Sequence, residues 1–233
     1  MKKIISFSLY GDNEKYTLGA LCNVELAKII YPDWICRFYC GESVPTHIID
    51  ALKTYENTEI IPMSEDEKYT YASWRFLPID DDDVDIMISR DADSRLSFRE
   101  KKLVDIFVDS NYLLHDVRDH TLHNHIMAGI FGIKKEANIS MKNLLENSNF
   151  GMDYGADQAF LRYKLYPILE GEILVHDSKL NTTNRTYDEN FPIKINEKLS
   201  PLIQDLINPN HIHFIGEIFP YNNYGKPKNY IFY

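Results

Sequence analysis

The sequence is poor in the residues that several kinds of function require. Only three of its 233 residues are cysteine: Cys22, Cys36 and Cys40. Their spacing matches no zinc pattern, and any disulfide would leave one thiol over, so neither a disulfide framework nor a cysteine-built metal site is expected. Cys36 and Cys40 stand four apart in an expected strand and face one way as core residues, and reduced cytosol is the simplest compartment. Basic residues are outnumbered, with 25 Lys and Arg against 35 Asp and Glu for a net charge of −10. That balance argues against a nucleic-acid or membrane-surface binder, since both need clustered positive charge. No apolar run approaches the ~18 residues of a membrane span, so no membrane insertion is expected. Met1-Lys-Lys-Ile-Ile-Ser-Phe-Ser-Leu-Tyr10 starts like a signal peptide, but its apolar run is short. It stops at Gly11-Asp12-Asn13-Glu14-Lys15 with no small-residue cleavage site, so the chain is expected to remain cytoplasmic. There is no internal repeat and no low-complexity segment.

What remains is an ordinary globular composition, 44% hydrophobic and 26% charged, long enough to bury a sizeable core. Strand and helix patterns alternate through the first two thirds. Ile4–Leu9, Ile35–Cys40, Glu59–Met63, Val84–Ser89, Tyr112–Asp116 and Gly129–Ile133 are expected strands. Glu14–Ile30 and Thr46–Tyr55 are expected helices, Tyr71–Leu77 a helical turn, and Ser97-Phe-Arg-Glu100 a capping box opening a helix over 99–109. This alternation predicts an α/β fold, a mostly parallel Rossmann-like sheet with helices on both faces. The last third is more irregular: helices at Met141–Glu146 and Gln158–Tyr166, a strand at Ile173–His176, a long polar loop over Asn181–Lys198 and one more strand at Ile212–Phe219. A single domain over 1–233 is expected, with an irregular C-terminal part.

The stretch Met87-Ile-Ser-Arg-Asp-Ala-Asp-Ser-Arg95 carries the chemistry. In open α/β sheets ligands bind beyond the carboxyl ends of the strands, and Asp91 and Asp93 leave the fourth strand at that edge. Two carboxylates so close repel and lose hydration unless a cation bridges them, and hard oxygen ligands suit Mg²⁺ or Mn²⁺ holding a diphosphate. Asp80-Asp81-Asp82-Asp83 stands before the same strand, at the wrong edge, and reads as a solvated turn.

Asp-x-Asp after a buried strand resembles the nucleotide-sugar glycosyltransferases of the GT-A fold. The likeness extends in order over nearly the whole chain. It runs through Ile5-Ser-Phe-Ser-Leu-Tyr-Gly11, Tyr16-Thr17, Tyr31-Pro-Asp-Trp34 and Trp74-Arg-Phe-Leu77. It continues through Ser89-Arg-Asp-Ala-Asp-Ser-Arg95, Arg118-Asp-His120, Asp157-Gln158 and His176-Asp-Ser178. Together these are similar to a viral and bacterial group of small GT-A transferases. The resemblance implies that Tyr10 and Gly11 meet the nucleotide, Gly11 by letting backbone approach closely. It implies that Arg75 pairs with the diphosphate, for which its planar fork is suited, the alternative being a surface salt bridge. Arg90 belongs to the donor site as a support for the aspartates, and Arg95 is structural. A third metal ligand is usual in this fold. His176 is the first choice, and His213, in His213-Phe-Ile-Gly216, is the rival.

Four histidines fall within His115–His125, but their spacing fits no familiar zinc pattern. The resemblance instead places Arg118, Asp119, His120 and His123 on a loop facing the sugar and a glycan or other hydroxyl acceptor. Asp157 opens a helix and could be an N-cap, a first-turn acid, or the general base that takes the acceptor proton. In a retaining enzyme it would stabilise the oxocarbenium-like centre instead. The expected activity is metal-dependent hexosyl or deoxyhexosyl transfer from a nucleoside-diphosphate sugar. Family grounds favour UDP, and the host cytoplasm is the expected site if the protein is viral. The competing readings are a metal-dependent phosphohydrolase or nucleotidyltransferase, and a non-catalytic nucleotide-sugar-binding module. A nucleotidyltransferase would show a Gly-rich basic loop after its first strand, which Tyr10-Gly-Asp-Asn-Glu14 is not.

Overall fold

The computed structural model describes residues 1–177 apart from 67, 120–122 and 124, and of residue 177 the backbone alone. Seven strands among the described residues form one sheet: β1 (Lys3–Leu9), β2 (Ile35–Gly41), β3 (Thr58–Met63), β4 (Ile86–Arg90), β5 (Leu114–Arg118), β6 (Ile130–Lys134) and β7 (Ile173–Asp177). Their order is β3-β2-β1-β4-β6-β5-β7. All pairings are parallel except the two made by β6, which runs antiparallel to β4 and β5. The expected mostly parallel sheet is therefore present. The reversed β6 has a consequence for the site: the connection from the end of β5 to the start of β6 lies wholly at the carboxyl edge of the parallel strands.

The helices are α1 (Glu14–Ile30), α2 (Thr46–Lys53), α3 (Phe98–Asp109), α4 (Met141–Glu146) and α5 (Ala156–Phe160). Asn13 caps α1 by accepting from Lys15 N at 3.0 Å, and Ser97 caps α3 by accepting from Glu100 N at 3.2 Å. Alternation along β1 splits the core. Ile5, Phe7 and Leu9 join β2, α1, α2 and α3 on one face, while Ile4 joins Phe76, Phe131, Phe160 and Leu165 on the other. Both faces are buried, which is why the central strands read as near-continuous apolar runs.

Two expectations change. The helical turn at 71 extends to Asp80 as a 3-10 segment. The helix expected at Gln158–Tyr166 begins at Ala156, widens to a π-turn over Leu161–Leu165 and ends as 3-10 over Tyr166–Ile168. The aspartate run is the exposed turn expected, and its side chains at Asp80, Asp81 and Asp83 are also partnered. Asp80 accepts from Met141 N at 2.6 Å and Lys142 N at 2.7 Å and so caps α4, Asp81 holds Arg37 at 2.5 Å, and Asp83 holds Lys2 at 2.9 Å. It clasps two layers at the edge away from the site. Asn181–Lys198 and Ile212–Phe219 lie outside the described residues. Among the described residues no helix is long and apolar enough to cross a membrane.

Candidate functional site

β1 and β4 lie side by side in the sheet, and the chain crosses from β1 toward β2 on one side and leaves β4 on the other. Such a switch point opens a crevice at the carboxyl ends. A cavity of about 740 Å³ lies there, lined among others by Tyr10, Lys15, Arg75, Asp91, Asp93, His123, Tyr154 and Asp157.

Two serines on the inner strands hold its walls in place. Ser8 of β1 accepts from Arg75 N and donates to Ala72 O, both at 3.0 Å, which ties the 3-10 segment to the sheet. Ser89 of β4 donates to Ala128 O at 2.6 Å and ties down the approach to β6. The turn carrying the aspartates is fastened from α1. Asn23 donates to Ser94 O at 2.9 Å and Ala92 O at 3.3 Å and accepts from Leu96 N at 3.1 Å. A buried asparagine on the apolar face of a helix was the available sequence signal for this role. Arg95 adds donations to Ala92 O and Ser94 O, the structural task expected of it.

Each aspartate meets a different cation. Arg75 spans Asp91 with one terminal nitrogen and Asp157, at 2.9 Å, with the other. Lys15 reaches Asp93 at 2.6 Å. Arg75 is buried, so the alternative of a surface salt bridge does not describe it. Burial alone would lower the Arg75 guanidinium, but Asp91 and Asp157 outweigh it and leave it raised. Burial likewise pulls at the Lys15 ammonium, and Asp93 overrides it upward. Gly129 closes the back of the site: a β-carbon built there would stand 2.5 Å from Asp91 Cγ, so the carboxylate occupies space that only glycine leaves.

Asp157 is a first-turn acid, since the N-cap of α5 is Gly155, at φ 82°. Gln158 beside it donates to Ile126 O and accepts from Ala128 N at 2.9 Å, which pins the loop before β6. Tyr10 lines the cavity with its ring edge-on to Tyr71 and Trp74. Gly11 sits at φ 72° with nothing within 4 Å of a built β-carbon, so the left-handed turn, rather than crowding, calls for glycine there.

The other expected residues separate. Arg90 is buried against Glu100, itself bonded to the Tyr31 hydroxyl at 3.0 Å, so it braces β4 on α3 beneath the aspartates. Arg118 pairs with Asp116 at 2.6 Å and Asp119 with Arg99. Both are buried, neither lines the cavity, and their charges are matched within the fold. His123 does line the cavity, and His120 lies outside the described residues.

His176 is fully buried on β7, its Nδ1 2.7 Å from His115 Nε2. The cavity lining does not include His176, whose ring meets His115 inside the fold. No group of three metal-ligating side chains occurs among the described residues. His213 lies outside them.

No family model matches the sequence, and no curated protein does. Solved structures do. The S. aureus TarS fragment 1–349 in complex with UDP superposes with a TM-score of 0.52 at 13% identity, covering 77% of this chain and 59% of that one. The mannosyltransferase PcManGT from Pyrobaculum calidifontis, in complex with GDP-Man and Mn²⁺, gives 0.52 at 12% identity over 77% of this chain and 55% of that one. A 4-diphosphocytidyl-2C-methyl-D-erythritol synthase from Anaerococcus prevotii gives 0.50 at 10% identity over 89% and 94%. The chain thus spans little more than half the length of the first two. At such identities the likeness establishes the fold, an α/β sheet of the GT-A type.

Proposed function

We propose that the protein is a metal-dependent glycosyltransferase that moves a hexosyl or deoxyhexosyl group from a nucleoside-diphosphate sugar, UDP-linked by preference, to a hydroxyl of a glycan or similar acceptor. One observation carries this reading. Asp91, Asp93 and Asp157 converge on a single cavity at the β1–β4 switch point, where two basic side chains offset two of their three negative charges.

The site fits a divalent cation on its own chemistry. Asp91 and Asp93 offer hard oxygens, and the two positive charges they already attract equal the charge such an ion brings. Asp91 and Asp93 would hold Mn²⁺ or Mg²⁺, with His176 or His213 as the third ligand. The ion supplies neutralisation of the diphosphate as its bond to the sugar breaks.

The chain's own residues do the rest. Tyr10, with Gly11 shaping the turn, offers a ring for the nucleobase, and Arg75 turns its buried fork toward the diphosphate. Arg90 keeps the aspartate turn on α3. Asp157, oriented by Gln158 N at 2.8 Å and by Arg75, takes the proton of the attacking hydroxyl at its carboxylate oxygen. His123 stands in the same cavity as a hydrogen-bonding group for the acceptor. The free, buried thiols of Cys22, Cys36 and Cys40 support a reducing compartment, the cytoplasm.

A thermal-shift series with UDP- and GDP-sugars, with and without Mn²⁺, tests the proposal, because a ligand of the folded state alone raises apparent stability. Stabilisation by a nucleotide-sugar that needs Mn²⁺ and is lost in Asp93→Asn is expected. Stabilisation by nucleoside triphosphates alone would move the assignment to nucleotidyl transfer, and nucleotide-sugar binding without any turnover would leave a binding module.

A further inference from the structure

We propose that Lys15 is a further donor-binding residue: it holds Asp93 while the metal site is empty, is displaced when a divalent cation arrives, and then engages the diphosphate of the donor. The inference rests on the metal-dependent reading of the same cavity.

Its basis is where Lys15 sits and how unlike Arg75 it is. Lys15 is the second residue of α1, and its position is set by the Asn13 cap that accepts from its backbone N–H. From there the ammonium enters the cavity to meet Asp93 at 2.6 Å, while passing 4.8 Å from the centroid of the Tyr16 ring. The Lys15 side chain is 29% exposed, against 7% for Arg75. Arg75 is therefore locked between two carboxylates, and loss of one still leaves it the other. Lys15 has a flexible four-carbon stem in contact with solvent and can swing at small cost.

A divalent cation at Asp93 would face an ammonium already within hydrogen-bond distance of the same oxygens. Like charges so close repel strongly, so the ammonium must leave. The nearest compensation is the diphosphate itself, which enters the same cavity, and a compact ammonium suits a phosphate as a point charge. Metal and donor then help each other through Lys15: the metal hands the ammonium to the donor, and the donor draws it off the metal's ligand. Such coupling must be reciprocal.

The variant Lys15→Met keeps the length of the stem and removes the charge, with Lys15→Arg as the conservative control and circular dichroism as the check of folding. Mn²⁺ alone, titrated by calorimetry, should bind the Met variant about three- to tenfold more tightly than wild type, because nothing competes for Asp93. UDP and GDP, titrated separately at saturating Mn²⁺, should bind it roughly tenfold more weakly. The Arg variant should behave as wild type in both. Nucleotide affinity of the Met variant within twofold of wild type overturns the inference, whatever Mn²⁺ does alone. A wild-type protein that binds no Mn²⁺ overturns the metal reading itself. Wild-type Mn²⁺ binding combined with an unmoved Met variant overturns this inference and leaves the metal reading standing.

Discussion

The carboxylate of Asp91 lies directly against the α-carbon of Gly129, in the space a side chain at that position would occupy. Gly129 stands just before β6, so the antiparallel strand forms the back wall of the aspartate site. Gly129→Ala should displace Asp91 while leaving the sheet in register. Mn²⁺ affinity should fall by about tenfold or more, the size usual for groups that orient metal ligands. Calorimetric titration of Mn²⁺ checks it, and affinity within twofold of wild type would mean that Asp91 has room or is not a ligand.

Asp157→Asn separates chemistry from structure. Asparagine cannot take a proton, so transfer, or donor hydrolysis when no acceptor is supplied, should slow by ~10²–10⁴-fold. If Asp157 were an N-cap the stability would hardly change, but the cap is Gly155. Arg75 loses one of its two counter-charges, and the one amide oxygen must serve two donors, Arg75 and Gln158 N. A loss of roughly 1–3 kcal/mol in urea unfolding is expected. Turnover within threefold of wild type would return Asp157 to a structural role and leave Asp119, paired with Arg99, as the next candidate.

Asn23→Leu tests the fastening of the aspartate turn. The substitution leaves Ala92 O, Ser94 O and Leu96 N without the side-chain partner on α1. Arg95 still serves both carbonyls, so Leu96 N is the group left stranded, at a cost of about 1–3 kcal/mol, and the melting temperature should drop by several degrees. Mn²⁺ affinity should drop with it. A variant as stable as wild type would show that the turn holds itself.

His115 makes stability depend on pH. Burial, with help from His176 and Arg90, pushes the His115 imidazole well below its usual range. The unfolded chain takes up that proton near pH 6.5 and the folded chain does not, so the contribution is complete above pH 6.5 and declines as pH falls below it. The decline is at most ~1.4 kcal/mol per pH unit for this one group. Urea unfolding at pH 7.5, 6.5 and 5.5 should show it, and His115→Gln should flatten the slope.

What was legible in the sequence was whatever depends on neighbours along the chain. Periodicity placed Glu14–Ile30 and Met141–Glu146 at their observed ends, the capping box placed α3 to within a residue, and the apolar run ending in Asp-x-Asp located the site edge. Strand direction was not legible, because β6 is as apolar as its parallel neighbours and only pairing with β4 and β5 reverses it. Nor were the partners of charged residues, since a carboxylate in the sequence does not declare which cation it will meet. Asp80 serves α4 from 61 residues away, and Arg75 reaches Asp91 across 16 residues and Asp157 across 82. The same limit hid the partners of Arg118, Asp119 and His176, whose charges and ring nitrogens are engaged inside the fold. Local spacing determined the elements and the edge where chemistry could gather. Desolvation in the folded protein, which makes a buried charge seek a counter-charge or hydrogen bonds, decided which of the charged residues face the cavity.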